Sequence, residues 1–220
     1  YKEKIENLLK SNVLNKILNT FLDTLYLCRS NGTYTFSILA RHGFIAESFL
    51  RSLDDSKCLS SSRLNSFRQS IQGVTTVLIK DFNDVLTKKN TSHSFILKYG
   101  HLRPSTYDIC SPTYAERRQL FQARTTKIKE PINSENFKFS SKEIDSLNQL
   151  LANYCNNTIS SNQLIFYISE SIKLREKSKF EFTKLLSCAL TLLTRWGQLK
   201  GFSKDDLSYI DLNDIIYLYN

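Results

Sequence analysis

The chain has 220 residues, 41% of them hydrophobic and 23% charged, with six Gly, three Pro and a formal charge of +9. That length suffices to bury a core, as one large helical domain or two small ones. So little Gly and Pro disfavours many-turned β architectures, and no run of about 18 apolar residues is present to span a membrane. The amino end reads as a charged amphipathic helix rather than a signal peptide. A start at Tyr1 and the absence of Met point to an internal piece of a longer polypeptide. The basic residues are scattered among Asp and Glu with no block of five, so the surplus reads as a solvated surface. Nucleic acid is therefore not an expected partner. The five cysteines are far apart, odd in number and without a CxxC pair. This argues against a metal site and a disulfide framework and suits a reducing, cytoplasmic compartment.

In chain order, Ile5, Leu8, Leu9, Val13, Ile17, Leu18, Phe21, Leu22 and Leu25 recur at steps of three and four. That stripe predicts a leading helix within residues 1–34, ended by Asn31-Gly32. A second helix is expected from about Thr35 to Leu53. Ser60-Ser61-Ser62 offers an N-cap for a third, continuing to about Leu86. A short helix over Ser92–Lys98 then leads into Tyr99-Gly100-His101-Leu102-Arg103-Pro104-Ser105-Thr106-Tyr107-Asp108-Ile109. Pro104 and Pro112 bracket this irregular stretch at 99–111, since the residue before proline is pushed out of the helical region. Pro112 is expected to open a short helix carrying Tyr114, Leu120 and Phe121.

Residues 124–139, polar and holding Pro131, read as a connector. Ser140-Ser141-Lys142-Glu143 and Ser160-Ser161-Asn162-Gln163 both have the capping-box spacing. They open a helix to about Tyr154 and a long one to about Trp196 or Gln198. Gly197 and Gly201 supply stop signals, and two short helices close the chain. The expected fold is all-α, a single multi-helix domain over 1–220.

Three clusters stand out chemically. In the central loop Arg103 offers a planar fork for a carboxylate or phosphate, and His101 can move a proton near neutral pH. Asp108 could hold an ammonium group or orient His101, Thr106 and Tyr107 are neutral donors, and Gly100 is expected to allow a backbone angle that side chains resist. The plainer alternative is a structural Arg103–Asp108 pair. A second cluster, Ala40-Arg41-His42-Gly43-Phe44, places Gly43 mid-helix, where close packing or a ligand's approach would account for it. In the third, Arg175, Lys179 and Thr183 fall on one helical face with Glu176 beside them. A solvated charged face is its ordinary reading. No glycine-rich phosphate loop, HExxH or GxSxG is present.

Taken together, Phe36–Ala46, Lys98–Pro104 with Thr106–Ile109, Leu174–Glu176 with Lys179–Thr183, and the tail at Gly201–Ile210 and Asp214–Leu218 resemble one family. This is the central helical domain of multidomain enzymes related to phosphoenolpyruvate synthase and rifampicin phosphotransferase, and the likeness spans residues 35 to 218. The resemblance implies an ATP-dependent phosphotransferase in which an ATP-grasp domain, using ATP and Mg, phosphorylates a histidine on a swivelling domain. AMP and phosphate are its other products. Neither domain is represented here, so the chain corresponds to the acceptor-binding domain, with no cofactor of its own. The isolated piece is expected to be inactive.

The chain departs from the rifampicin-type pattern where Arg103 stands two residues after His101, and where Ser105-Thr106 replaces a stretch that usually carries Gly and Glu. The Leu-Arg-Pro form looks like a group acting on small polar acceptors, with L-glutamine, phosphorylated on its side-chain amide, as the specific expectation. For that ligand the resemblance casts Arg103, Arg41 or Arg175 for the carboxylate and Asp108 or Glu176 for the ammonium group. His101 would be the base near the amide, and Lys179 would steady phosphoryl charge. Acceptors of pyruvate or antibiotic type are the alternative within the family. Outside it stand a basic helical interaction module without catalysis and a structural spacer.

Overall fold

The computed structural model describes residues 14–117, 119, 121, 128, 137–155 and 158–217. The fold is all-α, as the sequence predicts. Among the described residues there are nine α-helices, one π-helical stretch and no strand. They are α1 (Leu14–Leu27), α2 (Tyr34–Asp55), α3 (Ser61–Ser70), α4 (Val74–Leu86), α5 (Ser92–Tyr99), α6 (Ser141–Cys155), α7 (Ser161–Leu199), α8 (Lys204–Ser208) and α9 (Leu212–Tyr217). No helix among the described residues is long and apolar enough to cross a membrane.

The chain packs as two compact units. The first comprises Tyr1–Tyr34, Val85–Thr125 and Phe180–Asn220, the second Thr35–Asp84 and Thr126–Lys179. In the first unit α1 buries Ile17, Leu18 and Phe21 on one stripe, and the second half of α7 buries Ala189, Leu192, Leu193 and Trp196 at three- and four-residue steps. Ile109, Leu207 and Ile215 complete that core. A neighbouring aromatic group forms around Phe95, whose ring centroid lies 4.7 Å from Tyr99, 5.3 Å from Phe121 and 6.4 Å from Tyr114. In the second unit Ala46, Leu50 and Leu53 of α2 pack with Leu64, Phe67 and Ile71, with Leu147 and Leu151 of α6, and with Leu164 and Ile168 of α7.

Several predicted boundaries move. Asn31-Gly32 does not break the chain. Residues Cys28–Thr33 form a π-helical stretch leading into α2, where the Tyr34 N–H reaches back to the Arg29 carbonyl. Widened turns of this kind accommodate one extra residue without ending the helix. A Cβ on Gly32 would lie 2.8 Å from the Phe182 ring, so glycine serves close packing there. The single helix expected over 60–86 is two: α3 stops at Ile71, whose ψ of 102° is extended, and α4 starts at Val74.

Residues 114–116 after Pro112 form a turn rather than a helix, and Leu120 lies outside the described residues. Gly197 is no stop signal either. It lies inside α7 against Leu207, and the helix ends before Gly201, which takes the left-handed φ of +87°. The first helix before Leu14 falls outside the described residues, as does most of the 124–139 connector. Within that connector the Ile128 backbone is held at both N–H and carbonyl by the Asn83 side chain, at 3.0 and 2.9 Å, and Phe137 and Phe139 pack on Phe67.

Both expected capping boxes form. The Ser140 N–H donates to Glu143 at 2.7 Å while the Glu143 N–H donates back to Ser140 Oγ at 3.3 Å, and Ser160 with Gln163 repeats this at 2.9 and 3.3 Å. A third joins Ser203 and Asp206 at the start of α8.

Candidate functional site

The central loop is built from its ends inward. Thr91 caps α5 by accepting the Ser94 N–H at 3.1 Å. Phe95 and Tyr99, one turn apart, bury their rings. Gly100 follows with helical angles, φ −58° and ψ −24°, so it is not there for an unusual backbone conformation. Its lack of a side chain matters because a Cβ would strike the Ile96 carbonyl oxygen and meet Ala115 at 3.2 Å. Residues 100–102 are clasped to 114–115, with the Tyr114 N–H donating to Leu102 at 2.7 Å and the Ala115 N–H to Gly100 at 3.1 Å. Thr113 and Glu116 bond reciprocally at 2.7 and 3.2 Å, and Lys204 adds a 3.1 Å ion pair to Glu116. These contacts, with burial opposing them, hold the Glu116 carboxyl below its ordinary range.

Arg103 sits inside this clasp with only 9% of its surface exposed. Nη1 donates to the Asp108 backbone carbonyl at 3.3 Å and Nη2 to Ser187 Oγ on α7 at 3.1 Å. Nε is buried and has no acceptor among the described residues. The structural Arg103–Asp108 ion pair is therefore not formed. The Asp108 carboxylate instead accepts the Cys110 N–H at 2.8 Å, turning the loop on itself. Burial pushes the Arg103 pKa down, and the charges of Glu116 and Asp108 oppose that shift. A guanidinium stays charged in proteins regardless. The result is a buried cation that makes no ion pair among the described residues.

His101, half-buried, lies edge-on to the Phe180 ring at 4.8 Å, and Phe180 in turn meets Tyr99 at 5.8 Å. Thr106 is half-buried, whereas Tyr107 and Asp108 are exposed. His101, Arg103, Thr106, Tyr107 and Asp108 all belong to the first unit, and among them Arg103 bonds the Asp108 carbonyl.

Arg41, Arg175, Glu176 and Lys179 belong to the second unit. Arg41 and Lys179 are exposed. Close packing accounts for Gly43: its missing Cβ would lie 2.6 Å from the Arg175 side-chain stem, whose guanidinium sits 5.5 Å from the Phe44 ring centroid. His42 bonds the Tyr167 hydroxyl at 2.9 Å. Glu176 accepts the Thr75 N–H at 3.2 Å and lies against Gly73. It supplies the anion that the opening turn of α4 lacks in its own sequence.

Reasoning from sequence missed Ser187, Phe180 as the ring facing His101, and the Glu116–Lys204 pair. Ser187 follows Leu185-Leu186 and precedes Cys188-Ala189, and a hydroxyl in so apolar a helical run was the available signal. No group of three or more His, Cys, Asp or Glu able to hold a metal ion gathers among the described residues. No family model, no curated protein and no solved structure matches this chain.

Proposed function

We propose that this chain is the acceptor-binding domain of an ATP-dependent phosphotransferase that works through a phosphohistidine on another domain. Its acceptor is a small polar molecule with an acidic group, and L-glutamine, phosphorylated on its amide, is the specific assignment. The parent is then an L-glutamine kinase of the kind that serves capsular phosphoramidate synthesis. ATP and Mg would bind the parent's ATP-grasp domain.

One observation carries this reading: Arg103 is buried without an ion pair among the described residues and keeps an unfilled Nε–H. Burying an unpaired charge costs several kcal/mol after relaxation. An anionic ligand group would offset that cost, since charge-assisted contacts to a guanidinium are among the strongest hydrogen bonds. The family resemblance of the surrounding motif supports the assignment to a phosphotransferase. In it, Arg103 holds the acceptor's carboxylate and His101 stands beside the group that receives phosphoryl. Asp108, exposed and next to the same guanidinium, suits the ammonium group.

The test is the melting temperature of the chain with and without L-glutamine. A rise that Arg103→Ala abolishes is expected, since ligands that bind only the folded state stabilise it by mass action. Absence of any rise removes the glutamine assignment, and a rise with pyruvate in its place redirects it.

A further inference from the structure

Hydroxyls along the second half of α7 satisfy themselves locally. Thr183 donates to the Phe180 carbonyl, Thr191 to that of Ser187 and Thr194 to that of Leu190, each at 2.8 Å. Ser187 does not. Its Oγ accepts from Arg103 Nη2 at 3.1 Å and donates to nothing among the described residues, although only 6% of the residue is exposed. In a planar guanidinium, Nε–H and Nη2 share the side-on edge that pairs with two oxygens of an oxyanion. That edge therefore presents an unfilled Nε–H with an unfilled hydroxyl donor beside it. Buried donors are nearly always satisfied in folded proteins, so two neighbours left open together point to an acceptor that binds there.

We infer that Arg103 and Ser187 form a two-donor oxyanion seat, in which Ser187 bonds the ligand directly and which takes a carboxylate monoanion. The identity of that ligand as an amino acid rests on the acceptor-binding reading above. The preference for a monoanion follows from the surroundings. Asp108 accepts through its backbone carbonyl at 3.3 Å, and the Asp108 and Glu116 carboxylates both act on the Arg103 charge. A phosphate dianion brought to this edge would meet two like charges, whereas a carboxylate brings one negative charge.

The Arg103 Nε–H resonance in a ¹⁵N-labelled sample, assigned by its loss in Arg103→Lys, reads the seat directly. It is followed in separate titrations with acetate, inorganic phosphate and L-glutamine. Acetate and L-glutamine are expected to shift it, with Ser187→Ala weakening both about tenfold, the effect of one hydrogen bond to a charged oxygen. The resonance itself and the melting temperature should persist in that variant, which a merely structural serine would not predict. Ser187→Cys, of similar size with a weaker donor, should fall between and serves if the alanine variant does not fold. Equal affinity in wild type and Ser187→Ala overturns the role of Ser187 while leaving glutamine binding intact. A Ser187-dependent response to acetate with none to L-glutamine keeps the seat and removes the glutamine assignment. Phosphate binding as tightly as acetate overturns the monoanion preference, and no response to any of the three overturns the seat.

Discussion

Glu143 accepts three hydrogen bonds at once from two residues. Arg63 donates to both of its oxygens, at 2.7 and 3.0 Å, and the Ser140 N–H donates at 2.7 Å. Arg63 also bonds the Lys138 carbonyl at 2.6 Å and stands 4.3 Å from the Phe137 ring centroid. The bidentate Arg63 contact chiefly, with the Ser140 contacts, holds the Glu143 carboxyl down at about 2 against an ordinary value of 4.5. Between those values the unfolded chain binds more protons than the folded one, so this stabilisation is present above about 4.5 and is lost as pH falls through about 2. Denaturation followed across pH 7 to 2 should show that component, and Glu143→Gln should lack it. The variant should also lose about 1 kcal/mol at pH 7, the scale of one partly exposed ion pair, because Gln keeps the capping box but not the charge that faces Arg63.

The Ser140–Glu143 spacing was legible in the sequence because a capping box spans four residues and needs no tertiary information. Arg103 was legible only as a residue type. Its acceptors, the Asp108 backbone carbonyl and a serine 84 positions further on, carry no local pattern. Nor does the sequence show that Asp108 turns its carboxylate to Cys110 rather than to Arg103.

At the scale of elements, the break between α3 and α4 is instructive. Leu64, Phe67, Ile71, Val74 and Leu78 keep three- and four-residue spacing straight through it, so periodicity reads one helix where two exist. What separates them is a close approach from elsewhere in the same unit. The Glu176 carboxylate fills the space where a Gly73 side chain would stand and accepts the Thr75 N–H. Gly73→Ala should therefore push the Glu176 carboxylate off the Thr75 N–H and cost about 1 kcal/mol. Glu176→Ala should cost about 1 kcal/mol for the lost anion at the helix start. The double variant should be less destabilised than the sum of the two, because removing Glu176 clears the space; urea denaturation of the four proteins measures that coupling. Additive losses would mean the two residues do not meet. The Cys28–Thr33 stretch makes the same point in reverse. Asn-Gly reads as a break in sequence, yet the chain stays helical, and Gly32 is needed for the Phe182 ring.

For the whole molecule, the all-α class was legible from composition and from stripes such as Ile17, Leu18 and Phe21. The division into two units was not, because α7 runs through Lys179 and Phe180 without a break in its helical pattern. Each unit has its own buried core, one holding Leu192 and the other Leu50, both fully buried. Leu192→Ala and Leu50→Ala should each cost about 2–5 kcal/mol, read by chemical denaturation.

The positive charge is not spread evenly either. Residues 85–125 hold seven Lys or Arg against two acidic residues, so the segment bearing the loop is the most basic part of the chain. A field of that sign favours the approach of an anionic ligand. Among the described residues of that segment, Arg103 is the cation withdrawn from water and left without an ion pair. The most direct measurement is therefore equilibrium binding of L-glutamine to the chain by titration calorimetry, wild type beside Arg103→Ala. Saturable binding by the wild type, weakened at least a hundredfold in Arg103→Ala, is the predicted result, the scale of losing a buried charged contact. Equal binding by both proteins, or none by the wild type, would contradict it.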